Sequence, residues 1–184
     1  PEAPPEGPEV EVTAIHDDLF DGKATLKLLT LRTGPDKALA VDVVLVVPNA
    51  RTGPVPVFLG ANFFGNHSTT SDPRVPLEQS WIPLRGEGVE DNRATEASRG
   101  TVADRWPFEA AVDRGYGLAT FYHGDVDPDM GDFDDGIHGL YPGERGEHDW
   151  ATIAAALRAM ELRLALCSGK FSSKPLTTVF SSRW

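Results

Sequence analysis

Trp106-Pro107-Phe108-Glu109-Ala110-Ala111-Val112-Asp113-Arg114 followed, after Gly115 and Tyr116, by Gly117-Leu118-Ala119-Thr120-Phe121-Tyr122 decides the fold class. The first part reads as a short helix, with Pro107 in its first turn and Gly115 at its C-terminal end. The second part is apolar at every position but Thr120 and reads as a buried strand. A helix feeding such a strand is half of a parallel βαβ unit, so the chain is of the α/β class. Working outward, Ala24 to Leu31 reads as a strand and Gly34-Pro35-Asp36-Lys37 as a turn. Leu39-Ala40-Val41-Asp42-Val43-Val44-Leu45-Val46-Val47 is almost wholly apolar and β-branched, and pairs with the previous strand as a hairpin. Val55 to Ala61 is a third strand. Downstream, Asp149 begins a helix through Met160, with Ile153, Ala156, Leu157 and Met160 on one apolar face.

The rest of the chain sets limits on function. Its 184 residues, 40% hydrophobic and 24% charged, suffice for one domain with a core. No apolar run approaches the about 20 residues of a membrane helix. A formal net charge of −11 and the lack of a basic stripe argue against nucleic acid and against an anionic membrane surface. The single cysteine, Cys167, excludes an internal disulfide and a cysteine-based zinc site. Residues 1–9 are a Pro/Glu/Gly-rich lead-in with no core of its own. Two long segments lack period: Ser68 to Asp104, and Asp125 to Glu147. Irregular stretches of that length are usually functional or lie over an active face.

The order of certain short pieces resembles a known family. They begin with Asn62-Phe63-Phe64-Gly65-Asn66-His67, Asp72-Pro73 and Trp81. They continue with Arg99-Gly100, Arg105-Trp106-Pro107, Arg114 to Thr120, and Gly124-Asp125-Val126-Asp127-Pro128-Asp129. They end with Asp149 to Ile153 and Arg158-Ala159-Met160. Together they are similar to the glucuronoyl esterases, carbohydrate esterase family 15. The resemblance implies a partial α/β-hydrolase domain over residues 10–161, a three-layer αβα sandwich truncated before the nucleophile elbow. It implies Ser-His-acid hydrolysis of glucuronoyl esters, such as those linking xylan to lignin alcohols, with no cofactor. It also implies a secreted or periplasmic setting, although no signal peptide is visible here. The family's G-x-S-R-x-G-K nucleophile turn is expected after the next strand, and residues 162–184 do not match, which reads as a divergent tail. No catalytic residue is therefore assigned, and the 184 residues are expected to be inactive alone.

Four residues are assigned to substrate binding: Phe64, Gly65, Asn66 and His67. In α/β-hydrolases a backbone N–H from the loop after this strand helps form the oxyanion hole. The other reading is that Asn66 and His67 hold the loop by hydrogen bonds to backbone. Asp125, Asp127 and Asp129 alternate like a calcium loop, but Gly131 falls one place late and the closing position is Gly136, so no metal site is assigned. Cys167-Ser168-Gly169-Lys170 is similar to a shortened nucleophile turn, but Ser168 lacks a Gly two residues earlier. His16, His123, His138 and His148 read as surface or turn histidines. Trp81, Trp106 and Trp150 could stack on sugar rings, with core packing the default for Trp106 and Trp150. A non-catalytic polysaccharide-binding module, with Arg85, Arg93, Arg99 or Arg105 facing a uronate, and a calcium-binding domain are the alternatives. A sheet cut after its fourth strand would leave the Val41–Val47 and Leu118–Phe121 strands poorly protected, so self-association through an exposed edge is expected.

Overall fold

Leu39–Pro48 forms the middle strand of a five-stranded sheet, and its alternating side chains account for both halves of the core. The computed structural model describes residues 8–128, 130 and 135–140. The strands are β1 (Glu9–Asp18), β2 (Ala24–Thr33), β3 (Leu39–Pro48), β4 (Val57–Asn62) and β5 (Gly117–Tyr122), in the order β1-β2-β3-β5-β4. Pairing is antiparallel from β1 through β2 and β3 to β5, and parallel between β5 and β4. The helical elements are a single turn α1 (Leu19–Gly22) between β1 and β2, α2 (Phe108–Asp113) before β5, and α3 (Gly136–Leu140).

The period of two in β2 and β3 sends residues to opposite faces. Leu29, Leu31, Val41, Val43, Leu45 and Val47 meet Phe121 and Val126 on one face, where Ile137 and Leu140 of α3 also pack. Leu26, Leu28, Val44 and Val46 meet Leu118 on the other face, under Phe108 and Val112 of α2. The arrangement is a partial α/β fold with helix on both faces of a mixed sheet. Burial on both faces is why β3 reads as an unbroken apolar run; each such side chain contributes about 1.5–3 kcal/mol relative to exposure. Gly115, at φ +79°, ends α2 as its position suggests.

Three expectations need correction. The composition of the start predicts a lead-in through residue 9, yet Glu9 already pairs with Arg32 and β1 extends to Asp18. Its Glu-Val-Glu-Val alternation was the available signal. The third strand begins at Val57, because Pro54 and Pro56 cannot donate ladder hydrogen bonds. The Val41–Val47 and Leu118–Phe121 strands are not poorly protected: antiparallel pairing with β2 and β5 places β3 inside the sheet, and β5 lies between β3 and β4. Among the described residues the sheet's edges are β1 and β4. The expected helix from Asp149 to Met160, the tail at residues 162–184, and Asp129, Gly131, His148, Trp150, Cys167 and Ser168 lie outside the described residues. Among the described residues no helix is long and apolar enough to cross a membrane.

The long segment between β4 and α2 carries only short 3-10 turns, yet it is tied down at several points. Val75 and Ile82 are fully buried. Arg99 donates to the carbonyls of Asp72 (3.1 Å) and Val75 (2.7 Å) and pairs with Glu96 (2.7 Å). Arg74 bridges Asp72 and Asp18. Gly100 and Val102 donate from their backbone N–H groups to His67 and Ser68 carbonyls, both at 3.0 Å. These bonds hold the segment against the loop that follows β4.

Candidate functional site

The loop after β4 is built around two buried asparagines. Asn62, the last residue of β4, donates through Nδ2 to Asn66 Oδ1 (2.8 Å) and to Thr120 Oγ1 of β5 (3.1 Å). Asn66 then donates through its own Nδ2 to the Asp42 carbonyl of β3 (2.8 Å). The loop is thus fastened to β5 and, beyond it, to β3. Its polar side chains turn inward, where a lost partner would leave a buried group unsatisfied at about 1–3 kcal/mol.

Gly65 makes the turn. Its φ of +88° and ψ of 151° lie in a region essentially confined to glycine. A Cβ there would sit 2.7 Å from Glu78 Cβ and 2.8 Å from the His67 ring. The turn continues as a 3-10 helix over Asn66–Thr69, all four residues buried. The carbonyls of Gly65, Asn66 and His67 each accept hydrogen bonds, from Ser68 Oγ (2.7 Å), Thr69 Oγ1 (2.7 Å) and Gly100 N–H (3.0 Å). The N–H groups of Phe64 and Gly65 form no hydrogen bond among the described residues.

His67 is completely buried and 2.7 Å from Ser98 Oγ, the spacing of a Ser–His catalytic pair. The hydrogen bonds around it exclude that role. The Glu78 backbone N–H donates to Nδ1 (3.3 Å), so that nitrogen carries no proton. Nε2 must then be the protonated nitrogen and donates to Ser98 Oγ. Ser98 in turn accepts from Thr95 N–H (3.2 Å) and donates to the Thr95 carbonyl (2.7 Å). The ring cannot take the serine proton, because the nitrogen facing it already holds one. Burial, and secondarily the nearby Arg99 charge, lower the His67 pKa to about 4, so the ring is neutral. The pair pins three loops together. Ser98 was not among the residues singled out from sequence; the one available signal is Thr95-x-x-Ser98, a capping box closed by a hydroxyl.

The end of β5 forms the second side of the site. His123-Gly124-Asp125 is a tight 3-10 turn, and a Cβ at Gly124 would lie 2.3 Å from the Tyr122 ring. Tyr122 donates its hydroxyl proton to the Trp81 carbonyl (2.8 Å). Asp125 accepts from the Asp42 N–H and from the Ser80 hydroxyl, both at 3.1 Å. Burial pushes the Asp125 pKa up to about 8, and the neighbouring Glu78 carboxylate adds to the rise. The sequence predicts a surface or turn position for His123. It does sit in a turn, but it is buried between the Phe63 and Tyr122 rings, 5.0 Å from each.

The remaining sequence candidates sort by contact. Asp127 pairs with His138 at 2.9 Å instead of turning toward a shared ion with Asp125. Among the described residues no three His, Cys, Asp or Glu side chains are grouped to hold a metal. Arg99 is spent on Glu96 and two carbonyls rather than facing a ligand. Trp106 packs against the α2-side core and covers Gly60, as the core default supposes. An open depression of about 430 Å³ lies elsewhere, between α2 and Thr69–Ser71, and touches neither the Phe64–His67 loop nor Asp125.

The site's frame therefore consists of two loops at the C-terminal ends of adjacent parallel strands, where open α/β sheets bind ligands. A curated protein, carbohydrate esterase MZ0003 from an unknown prokaryotic organism, is 40% identical over 143 residues. Among solved structures, a glucuronoyl esterase from Solibacter usitatus superposes with a TM-score of 0.70 at 36% identity, over 88% of this chain. Over most of its length the chain is similar to glucuronoyl esterases of carbohydrate esterase family 15. A promiscuous family 15 esterase from a marine bacterial metagenome agrees, with a TM-score of 0.67 at 32% identity over 86% of this chain. No family model matches the chain. The curated match takes in 73% of this chain and 32% of the relative, and the two solved structures are covered over 43% and 42% of their lengths. The chain thus spans less than half of each of these relatives.

Proposed function

We propose that the chain forms one wall of the cleft of a glucuronoyl ester hydrolase, acting on 4-O-methyl-glucuronoyl esters of xylan–lignin material. The observation that carries this reading is the Phe64–Gly65 turn at the end of β4. Its carbonyl at Gly65 is occupied, while the N–H groups of Phe64 and Gly65 are spare among the described residues. Preorganised N–H donors in that position suit the oxygen on which charge develops during ester cleavage. Asn66 and His67 set the loop's shape, and the chemistry of the donors is that of the backbone. No serine in the 184 residues has glycine at both second-neighbour positions, so the chain carries no nucleophile turn of that pattern. The reading requires no cofactor and places the protein outside the cytoplasm. Self-association through an exposed sheet edge belongs to it as well.

The test is hydrolysis of benzyl glucuronate by the purified 184-residue chain beside a Ser168→Ala variant, with ligand-observed NMR for binding of the same ester. Binding without turnover is the expected result. Turnover abolished by Ser168→Ala would place a nucleophile in the chain and overturn the account. Affinity for xylan with none for the ester would identify a polysaccharide-binding module instead.

A further inference from the structure

The ladder between β3 and β5 ends at Val43 and Phe121, and the next backbone groups of β3 on that side belong to Asp42. Side chains take them in place of a strand. Asn66, from the loop after β4, donates to the Asp42 carbonyl, and the Asp42 N–H donates to Asp125 Oδ2 in the turn after β5. The other oxygen of that carboxyl, Oδ1, accepts from the Ser80 hydroxyl at 3.1 Å. The Ser80 N–H donates to Glu78 Oε1 (2.9 Å), and the Glu78 N–H donates to His67 Nδ1 (3.3 Å). His67 follows Asn66 in the chain, so the path closes on itself. It leaves the loop at Asn66, crosses β3, the β5 turn and residues 78–80, and returns one residue later. Gly65 lies directly against it, since a Cβ there would meet Glu78 Cβ at 2.7 Å.

Within this ring β3 and residues 78–80 are joined by the two oxygens of one carboxyl, so Asp125 is where the ring opens if its state changes. Glu78 and Asp42 are the charged groups that bear on it from those two elements, and both are acids. His123 stands in the same turn, and Arg93 holds the Gln79 carbonyl. Among the described residues no cation pairs with Asp125. Burial first, and Glu78 second, hold its pKa up at about 8. With its proton the carboxyl bridges the two elements without adding charge. Without it, a second negative charge is set beside Glu78, whose backbone braces both Gly65 and His67. A group raised in this way favours the closed ring below about pH 8 and weakens it as pH rises through that value.

We propose that Asp125 is a positioning residue for the Phe64–Gly65 turn, which it holds in place through this closed ring of hydrogen bonds. Its bearing on ester binding rests on the oxyanion reading of that turn, whereas the ring is testable without the ester. Carbon-13 NMR of the labelled 184-residue chain follows the Asp125 carboxyl carbon and the Gly65 Cα from pH 6 to pH 9.5. Both should move with one midpoint at about pH 8. Asp125→Asn keeps the shape of the side chain and has no charge to gain, so the Gly65 movement should vanish. Glu78→Gln keeps an oxygen for the Gln79 and Ser80 N–H groups and should lower the midpoint. Ester binding at pH 7, by ligand-observed NMR with benzyl glucuronate, should be lost in a folded Asp125→Ala chain and rescued by Asp125→Asn. A Gly65 carbon that ignores the Asp125 titration, or that titrates unchanged in Asp125→Asn, would overturn the proposal. So would a midpoint indifferent to Glu78→Gln, or full ester affinity in folded Asp125→Ala. If the unaltered chain binds no ester, the oxyanion reading fails, and the Gly65 carbon still decides the ring.

Discussion

Replacing His67 with glutamine should separate the imidazole's packing role from its titration. At neutral pH the substitution keeps a donor near Ser98 and removes the acceptor that meets Glu78 N–H. Leaving that buried N–H unsatisfied should cost about 1–3 kcal/mol. Acid adds a second effect. The folded His67 has its pKa lowered to about 4 from 6.5, so it resists protonation while the unfolded chain takes up the proton. A group depressed in this way stabilises the fold above pH 6.5, and the contribution is lost as pH falls through about 4. At about 1.4 kcal/mol per tenfold change in proton affinity, the full contribution is about 3 kcal/mol. Glutamine does not titrate, so the variant lacks this loss. Urea unfolding at pH 7 and pH 4 should therefore show the gap between the two proteins closing or reversing on acidification, a change of up to about 3 kcal/mol. Comparing the proteins at each pH cancels the titration of every other group. A gap of equal size at both pH values would refute the buried, neutral imidazole and the tautomer assigned from its hydrogen bonds.

Two other substitutions probe the same frame. Gly65→Ala forces a Cβ into 2.7 Å contact with Glu78 at a φ of +88°. It should destabilise the chain by about 2–5 kcal/mol in urea titration, and a loss below about 1 kcal/mol would show that the turn relaxes freely. Asp125 has the opposite sign to His67: its raised folded pKa means that its stabilisation is complete below pH 3.8 and is lost as pH rises through about 8. Asp125→Asn should thus melt above the unaltered chain at pH 9 and lose that advantage in acid, and parallel melting curves across the range would sink the assignment.

The sequence was most informative where one physical demand dominated. β3 had to be apolar on both sides because it lies in the middle of the sheet, and its limits could be read to within one residue. The helix before β5 was legible for a similar reason, with Pro107 and Gly115 marking its ends. β1 was missed because its alternation is half acidic and follows a proline-rich start, so it looked like lead-in. What could not be read was strand order. The apolar run of β5 suits a parallel or an antiparallel neighbour, and only the structure shows it inserted between β3 and β4. That insertion places the strongest strands inside the sheet.

The loop after β4 shows why residue type alone misleads at this site. Histidine, serine, asparagine and aspartate are the residues from which hydrolytic sites are built, and Asn66, His67, Ser98 and Asp125 all gather here. Each is engaged in holding backbone: Asn66 on the Asp42 carbonyl, His67 on the Glu78 N–H, Ser98 on both polar groups of Thr95, and Asp125 on the Asp42 N–H. Side chains committed in this way cannot also exchange protons with a substrate, yet their commitment fixes the path of Phe64 and Gly65. An oxyanion donor needs that fixed path, because a backbone N–H stabilises developing charge only if it is already in place when the charge forms. Substitutions at Asn66 or His67 should accordingly be felt first as lost stability. A functional loss that outran the loss of fold would mean that one of these side chains meets the substrate itself.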